Sequence, residues 1–292
     1  MATPMPRDSL VASYYTLAGA PVGQPPRFSF AERVAAAAEA GFVGVGMLLD
    51  DYASMRAAGT SDAELRRILD DHGMRVVELE FHFDWTLDGE RGQAAASREA
   101  ALLAMADRFA PDHLNVGDLN RPEDCPPTEV VAERFGGLCD RAGEHGLRVA
   151  LEFLPWTAIP DLATAWDIVR RAARPNGGVL IDAWHYYRGN PDAELLGSLP
   201  AEHVVAVQLD DADPEPVGPL FEDTMLRRRL PGEGALDLTG LVRTLDRIGV
   251  AGPYSVEIMS REEQARPARE AAARAYETAR SVLTEARATH RL

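Results

Sequence analysis

Four side chains with metal-binding oxygens each end a short apolar run in the second half of the chain. The runs VALE, VLID, VAVQ and YSVE end at Glu152, Asp182, Gln208 and Glu257. A buried carboxylate without a partner costs on the order of several kcal/mol, and three that converge also repel one another. A divalent cation removes both penalties, whereas one such acid alone is equally compatible with a solvated loop or a helix N-cap. The four together predict a metal site, and their oxygen atoms favour Mn²⁺ or Mg²⁺ over Zn²⁺.

The residues two positions before these ends support the same site. Side chains alternate between the two faces of a strand, so residues two apart share a face. The four positions are Ala150, Leu180, Ala206 and Ser255, and three of them carry small side chains. Small side chains beneath the polar ends leave room for a site.

Six further side chains are candidates for contact with a substrate. His185 follows Asp182 by three residues, and Arg229 could anchor an anionic or hydroxylated substrate, although each is equally compatible with a structural role. The tryptophans follow two of the strands and could form an apolar wall or belong to the core. The six candidates are His185, Arg229, Trp156, Trp184, Glu80 and His82.

Apolar runs alternate with amphipathic segments along the chain and predict the elements that position these residues. Ser61 and Glu64 have the spacing of a capping box and mark the start of a helix that ends near Gly73. The predicted strands comprise residues 9–16, 43–48, 74–83, 113–116, 148–154, 178–183, 203–209 and 254–259. The other predicted helices comprise residues 28–40, 91–109, 128–145, 162–173, 192–196, 236–248 and 267–288.

Repeated alternation of strands and helices predicts a parallel sheet with right-handed crossovers. Eight such units fit a single α/β domain over residues 1–292, a closed (β/α)8 TIM barrel, better than an open doubly wound sheet. Active sites of these barrels lie at the carboxyl ends of the strands, so the four strand-end residues are expected to converge there. The longest irregular stretch, residues 210–233, is expected at the same face.

The composition excludes several classes of enzyme. All 30 basic residues of the 292-residue chain are arginines. Without lysine, a Schiff-base aldolase, a pyridoxal phosphate enzyme and a Walker-A nucleotide site are ruled out. The 46 acidic residues give a net charge of −16, which disfavours nucleic acids and anionic membranes as partners.

The sequence also predicts a cytoplasmic protein with no membrane partner. Cys125 and Cys139 are too far apart for a CxxC pair and form no disulfide framework. Residues 1–10 lack the pattern of a signal peptide. The chain has no run of about 18 apolar residues, the length that would predict a membrane span.

Five motifs in a fixed order carry a resemblance to a known family. They are ALEF with Glu152, IDAWH with Asp182 and His185, VQLDDAD with Gln208, RLPGEGALDL with Arg229, and SVEI with Glu257. Over nearly the whole chain the sequence resembles the xylose isomerase-like TIM barrels, the sugar phosphate isomerase/epimerase family.

The resemblance implies a divalent metal at the four strand-end residues, substrate contacts from His185 and Arg229, and a small-molecule substrate. It also suggests a homodimer, because dimers are common among similar barrels. The third ligand of the family is often histidine, whereas this chain has Gln208, whose amide oxygen can still bind a metal.

The expected reaction is isomerisation or epimerisation of a sugar or keto-polyol through an enediolate. Glu152 and Glu257, expected on opposite sides of the barrel axis, would remove and return the proton beside a carbonyl polarised by the metal.

Three alternatives stay open. A lyase would use the same site to dehydrate a keto-polyol or a dehydroshikimate-like acid. An endonuclease IV-like repair enzyme would need a histidine-rich zinc site and a basic DNA face, which Gln208 and the charge of −16 disfavour. The third alternative is a binding barrel without catalytic activity.

Overall fold

Eight short strands lie in sequence order around the barrel. A computed structural model describes residues 6–250 and 252–288. Five of the ten residues examined for a signal peptide lie outside this part, as do the outermost residues of the predicted domain. The strands are β1 (Leu10–Ala12), β2 (Gly44–Leu48), β3 (Val76–His82), β4 (His113–Gly117), β5 (Arg148–Glu152), β6 (Gly177–Asp182), β7 (Val204–Leu209) and β8 (Tyr254–Val256). Each pairs in parallel with its neighbours, and β8 pairs with β1 to close the sheet. The predicted (β/α)8 TIM barrel is therefore confirmed.

Helices surround the barrel and connect its strands. They are α1 (Tyr14–Ala18), α2 (Phe30–Ala40), α3 (Leu49–Ala57), α4 (Asp62–Asp71), α5 (Gly89–Phe109), α6 (Thr128–Glu144), α7 (Leu162–Ala172), α8 (Ala183–Arg188), α9 (Ala193–Leu196), α10 (Leu220–Arg227), α11 (Leu238–Ile248), α12 (Arg261–Gln264) and α13 (Ala268–Ala288). The predicted capping box begins α4: Glu64 N donates to Ser61 Oγ at 3.2 Å, and Ser61 N donates to Glu64 Oε2 at 2.7 Å.

Five of these helices are absent from the sequence prediction. They follow strands at the carboxyl end of the barrel and are α1, α3, α8, α10 and α12. The predicted strand over residues 9–16 is wrong beyond Ala12, because the apolar segment Tyr14–Ala18 forms a helix. A short apolar run fits a buried strand and a buried helix equally well, and periodicity alone does not separate them. The stretch 210–233 is likewise not irregular throughout, since it contains α10.

The barrel interior has the layered arrangement that the sequence predicts. Ala150, Leu180 and Ala206 form a small apolar cluster of their own, separate from the main core between sheet and helices. Ser255 completes this layer and donates a hydrogen bond of 2.7 Å to Glu78 Oε2. The small side chains leave space above them for the polar strand ends.

In residues 6–250 and 252–288, no helix is both long and apolar enough to cross a lipid bilayer.

Candidate active site and metal centre

The four strand-end residues lie at the carboxyl mouth of the barrel, and all are buried. Glu152 and Asp182 are the last residues of β5 and β6, Gln208 is the penultimate residue of β7, and Glu257 directly follows β8. Asp182 and Gln208 are direct cross-strand partners in the sheet. Glu152, Gln208 and Glu257 all line the main cavity, which has a volume of about 530 Å³.

A buried arginine completes this cluster. Arg228 follows α10 and is 0% exposed. Its Nη1 donates to Asp182 Oδ2 at 2.6 Å, to Glu257 Oε2 at 3.1 Å and to Asp210. Charge-assisted bonds of this kind offset the desolvation of both partners. Arg228 therefore supplies positive charge to three buried carboxyl groups.

The neighbouring Arg229, predicted as the substrate anchor, lies elsewhere. Its side chain is exposed and pairs with Asp213 at 3.0 Å. The backbone of Arg229 forms an antiparallel bridge with Asp211, and that of Arg227 forms one with Ser260, so this stretch is extended. Side chains alternate along extended backbone, which turns Arg228 inward and Arg229 outward. The structure thus places Arg228 in the buried cluster, whereas Arg229 lies outside it and does not line the main cavity.

Asp211 holds the turn that positions this stretch. Its Oδ2 accepts hydrogen bonds from the amides of Gly232 at 2.9 Å and Gly234 at 3.0 Å, and its Oδ1 accepts one from Leu236 at 2.9 Å. A Cβ on Gly234 would overlap the Asp211 carboxylate, so the close approach requires glycine. The Pro-Gly-Glu-Gly turn at residues 231–234 therefore holds in place the stretch that contains Arg228.

The two proposed acid–base residues have raised pKa values. Burial raises the pKa of Glu152 to about 8, and the Asp182 carboxylate adds to this effect. Burial also raises the pKa of Glu257 to about 8, although Arg228 opposes the shift. A group with a pKa near neutrality can both accept and donate a proton at physiological pH. Without a cation, both glutamates can therefore exchange protons near neutral pH, and a bound cation would lower both pKa values.

The groups around them respond differently to the same burial. Burial opposes ionisation of Asp182, but Arg228 and His185 outweigh it, so the pKa of Asp182 lies below its usual value. Burial lowers the pKa of His185 to about 4, so its imidazole is neutral at physiological pH. The Nε2 atom of His185 lies 3.2 Å from Glu152 Oε1 and 3.2 Å from Arg228 Nη2. A neutral imidazole at this position can serve as a hydrogen-bonding group or a metal ligand.

Ser13 connects the cluster to a carboxyl group on β3. Its Oγ lies 2.9 Å from Glu80 Oε1 and 3.0 Å from Glu257 Oε1, and Glu80 Oε1 also accepts a bond from the Tyr14 amide. Burial raises the pKa of Glu80 well above its usual value, with further contributions from Glu78 and Glu257. Glu80, a predicted candidate for substrate contact, lines the cavity. Ser13 and Glu78 were not identified from the sequence, because both lie within the predicted strands over residues 9–16 and 74–83 rather than at their ends.

The remaining substrate-binding candidates separate into two groups. Trp156 and His185 line the cavity, and their rings lie 5.4 Å apart. Trp184 is fully buried behind Trp156 and does not line the cavity. His82 is also absent from the lining and lies 3.6 Å from Glu99 on α5. Alternation along β3 places Glu80 inside the barrel and would place His82 there too. A register shift between Leu79 and His82 interrupts this alternation.

The donor set fits a divalent cation. An oxygen or nitrogen atom of each of Glu152, Asp182 and His185 lies within 4.8 Å of the others. Gln208 Oε1 is buried and has no hydrogen-bond partner among the described residues. An unsatisfied buried oxygen beside two carboxyl groups is a typical feature of a metal site with oxygen ligands. Residues Glu152, Asp182, Gln208 and Glu257 could hold such an ion, and His185 adds a nitrogen donor that the sequence prediction did not include among the ligands.

The family model for the xylose isomerase-like TIM barrel matches residues 34–281. The 3-dehydroshikimate dehydratase of Pseudomonas aeruginosa is 28% identical over 254 residues, which cover 86% of this chain and 39% of that protein. The inosose isomerase of Bacillus velezensis is 30% identical over 156 residues, covering 53% of this chain and 55% of that protein.

The chain thus spans less than two thirds of the length of these curated relatives. A solved structure of the IOLI protein with a bound zinc atom has a TM-score of 0.83 at 19% identity, and the match covers 95% of this chain and 98% of that one. This likeness concerns the fold. Because the family model covers most of the closed barrel and all four strand-end residues, the chain belongs to the xylose isomerase-like TIM barrels.

Proposed function

We propose that the chain is a metal-dependent isomerase or epimerase of a small hydroxyketone, acting through an enediolate. The observation that carries the proposal is the pair of cavity-lining glutamates, Glu152 and Glu257, each with a pKa of about 8. They come from β5 and β8 and border a buried polar cluster whose donors fit a divalent cation. When bound, such a cation would polarise the carbonyl group and stabilise negative charge on its oxygen, with Mn²⁺ or Mg²⁺ favoured by the oxygen donors.

The residues of the chain supply the proton transfers. In its ionised form, Glu152 or Glu257 can take the proton from the carbon between the carbonyl and a hydroxyl group. The other glutamate, in its protonated form, can return a proton to the neighbouring carbon or to the opposite face. His185, neutral at physiological pH, can donate a hydrogen bond to a hydroxyl group or accept one from it without adding charge. Trp156 provides an apolar wall beside it.

The charges of the cavity favour an unphosphorylated substrate. Among the described residues that line it, Arg98 is the one arginine. Its Nη1 and Nη2 bond to Asp50 at 3.2 and 3.1 Å, and its Nε bonds to the Phe81 carbonyl at 2.8 Å. A phosphate dianion is usually bound by several free cationic or amide donors. The lining instead contains acidic groups and the apolar side chains of Phe83, Leu154 and Met225.

A dehydratase is the second candidate, and one observation favours it. The 3-dehydroshikimate dehydratase relative matches 86% of this chain, whereas the inosose isomerase matches 53%. The substrates in both names are carbocyclic ketones that bear hydroxyl groups. Both reactions start by removing a proton next to the carbonyl, and they differ in whether a proton returns or a β-hydroxyl group leaves.

Incubation with Mn²⁺ in D₂O tests both candidates. The substrates would be an inosose and 3-dehydroshikimate, and mass spectrometry would read the product. Deuterium gain without loss of water supports the isomerase, and loss of water supports the dehydratase. The Glu152→Gln variant should give neither signal, while an exposed-site control, Glu222→Gln, should behave like the unmodified chain. Mn²⁺ binding without exchange in any hydroxyketone tested would contradict the proposal and favour a non-catalytic barrel.

A further inference from the structure

The guanidinium group of Arg228 occupies the oxygens that a metal would need. Its Nη1 lies 2.6 Å from Asp182 Oδ2 and 3.1 Å from Glu257 Oε2. The second oxygen of each carboxyl group is also engaged: Asp182 Oδ1 accepts a bond from the His185 amide at 2.8 Å, and Glu257 Oε1 lies 3.0 Å from Ser13 Oγ. Each oxygen of these two predicted ligands therefore already has a partner within the chain.

The other two predicted ligands are not engaged by Arg228. Gln208 Oε1 is buried without a hydrogen-bond partner among the described residues, and Glu152 makes a close contact with His185 rather than with the guanidinium. The site is thus divided into a half without contacts to Arg228, with Glu152 on β5 and Gln208 on β7, and a half bonded to Arg228, with Asp182 on β6 and Glu257 after β8.

Two positive charges cannot share this cluster at short range without repulsion in a buried, weakly screened environment. The guanidinium also has a second set of partners that is independent of the predicted ligands. Its Nη1 pairs with Asp210, and its Nε and Nη2 donate to Thr224 Oγ1 at 3.1 and 2.9 Å. Arg228 could therefore leave Asp182 and Glu257 and still retain a buried carboxylate and a hydroxyl partner.

We propose that Arg228 is a resident countercation that competes with the divalent cation for Asp182 and Glu257 and so sets the metal affinity of the site. The proposal relies on the proposed function only for the presence of a divalent cation at this cluster. Metal binding moves Nη1 away from Asp182 and Glu257, and the contacts with Asp210 and Thr224 hold the arginine at the edge of the site. Metal affinity is consequently lower than the four donors alone would give.

The test compares Arg228→Met with Arg227→Met. Both remove one arginine from the same stretch, but Arg227 is exposed at the end of α10. Calorimetric titration with MnCl₂ alone should give a dissociation constant for Arg228→Met that is lower by roughly tenfold or more, because the competing charge is gone. Arg227→Met should stay within about twofold of the unmodified chain, since its charge is distant and screened. In EDTA, Arg228→Met should have the lower Tm, and Mn²⁺ should raise that Tm more than it raises the Tm of the unmodified chain.

Equal or weaker Mn²⁺ binding by a folded Arg228→Met variant would overturn the proposal. A crystal structure of the unmodified chain with Mn²⁺ provides a second readout that does not depend on the stability of a variant. It should show Nη1 separated from Asp182 and Glu257 but still beside Asp210; bound Mn²⁺ with Nη1 in its present position would equally overturn the proposal. Tighter Mn²⁺ binding by Arg228→Met, together with no turnover of any hydroxyketone by the unmodified chain, would support the competition and refute the proposed activity, so the two failures are distinguishable.

Discussion

Glu152 and Glu257 have the same residue type, the same burial and similar surroundings, yet the proposed reaction needs one of them ionised and the other protonated. Their pKa values of about 8 allow this at neutral pH, because each group can change state at small cost. Ser13 adds a contact between Glu257 and Glu80 that Glu152 does not have. Glu257 therefore contacts more neighbouring polar side chains than Glu152 does.

Replacing either glutamate should remove activity and leave the fold intact. Glu152→Gln and Glu257→Gln keep the shape of the side chain but remove the exchangeable carboxyl group, so kcat should fall by about 100-fold or more. Steady-state kinetics with the substrate that the D₂O experiment identifies would measure the loss, and circular dichroism would establish that the barrel is retained. Activity close to that of the unmodified chain in either variant would refute the role of that residue.

The sequence predicts well where the strand-end residues lie, because an apolar run that stops at a polar residue is a local signal. The buried position of Arg228 is harder to predict, because it lies in a run of three arginines. Which of the three side chains points inward depends on the phase of the side-chain alternation along the extended stretch. That phase depends on backbone pairing with Asp211 and Ser260, which are distant in the chain or belong to another loop. His82 shows the same limit, since a register shift within β3 is not visible in the strand pattern.

At the scale of elements, β2 approaches the site more closely than its sequence indicates. A Cβ on Gly46 would overlap Glu80 Oε1 and lie 2.9 Å from the Tyr14 amide nitrogen. Gly46→Ala should therefore cost about 1–3 kcal/mol of unfolding free energy through overpacking, and it should also lower activity by moving Glu80. Urea denaturation and kinetics would measure the two effects.

Gly136→Ala provides the matched control. Gly136 lies within α6, and the nearest atoms to an added Cβ are 3.7 Å away, at ordinary contact distance. The substitution should leave stability unchanged or raise it by up to about 1 kcal/mol, because alanine favours a helix interior. If both variants lost stability equally, close packing at Gly46 would not be the cause.

The cap of α4 gives a second prediction at this scale. Ser61→Ala removes the side-chain partner of the Glu64 amide and should cost about 1 kcal/mol. Ser97→Ala in α5 is the control, since Ser97 Oγ donates only a 3.1 Å bond to the Gln93 carbonyl within its own helix. Denaturant midpoints of the two variants should differ, with Ser61→Ala the lower; coincident midpoints would contradict a stabilising cap.

The long elements were predictable because each combines periodicity with a local stop or start signal. α4 has its capping box, and α2 and α11 end at Gly41 and Gly249, both in the left-handed conformation. The short helices α1 and α8 also have such signals, Gly19 after α1 and Asp182 before α8, but their 5 and 6 residues are too few to show a helical period. α1 and α8 are apolar segments next to a strand, and their conformation depends on tertiary contacts such as the bond from the Tyr14 amide to Glu80.

For the whole molecule, the buried glutamates link stability to pH. The pKa values of Glu152 and Glu257 rise from 4.5 to about 8 on folding, so the folded state binds more protons between these values. Their contribution to stability is therefore present below about pH 4.5 and is lost as the pH rises through about 8. In EDTA, the Tm should decrease over this interval, and the decrease should be smaller in Glu152→Gln. Thermal melts at fixed ionic strength would measure it; a Tm that rises equally in both proteins from neutral pH to pH 8 would argue against buried neutral glutamates.

Bound metal should reverse this decrease of stability with pH. A cation binds an ionised carboxylate more tightly than a protonated one, so Mn²⁺ affinity should increase as the pH rises through the same interval. Calorimetry at a series of pH values, in buffers of different ionisation enthalpy, would count the protons released. Affinity independent of pH would mean that neither Glu152 nor Glu257 loses a proton when the cation binds.

The pairing of β8 with β1 also has a consequence for synthesis on the ribosome. Glu257 follows the last strand, and its Ser13 contact lies directly after the first, 244 residues earlier in the chain. The nascent chain emerges from its amino end, so the gap between β7 and β1 persists until the segment around Tyr254–Val256 has left the exit tunnel. During translation the earlier strands can pair, but Asp182, Arg228 and Glu257 come together only in the final stage. The candidate site is thus completed only after β8 has emerged, and a chain released before that point has a barrel with an open seam and no complete site.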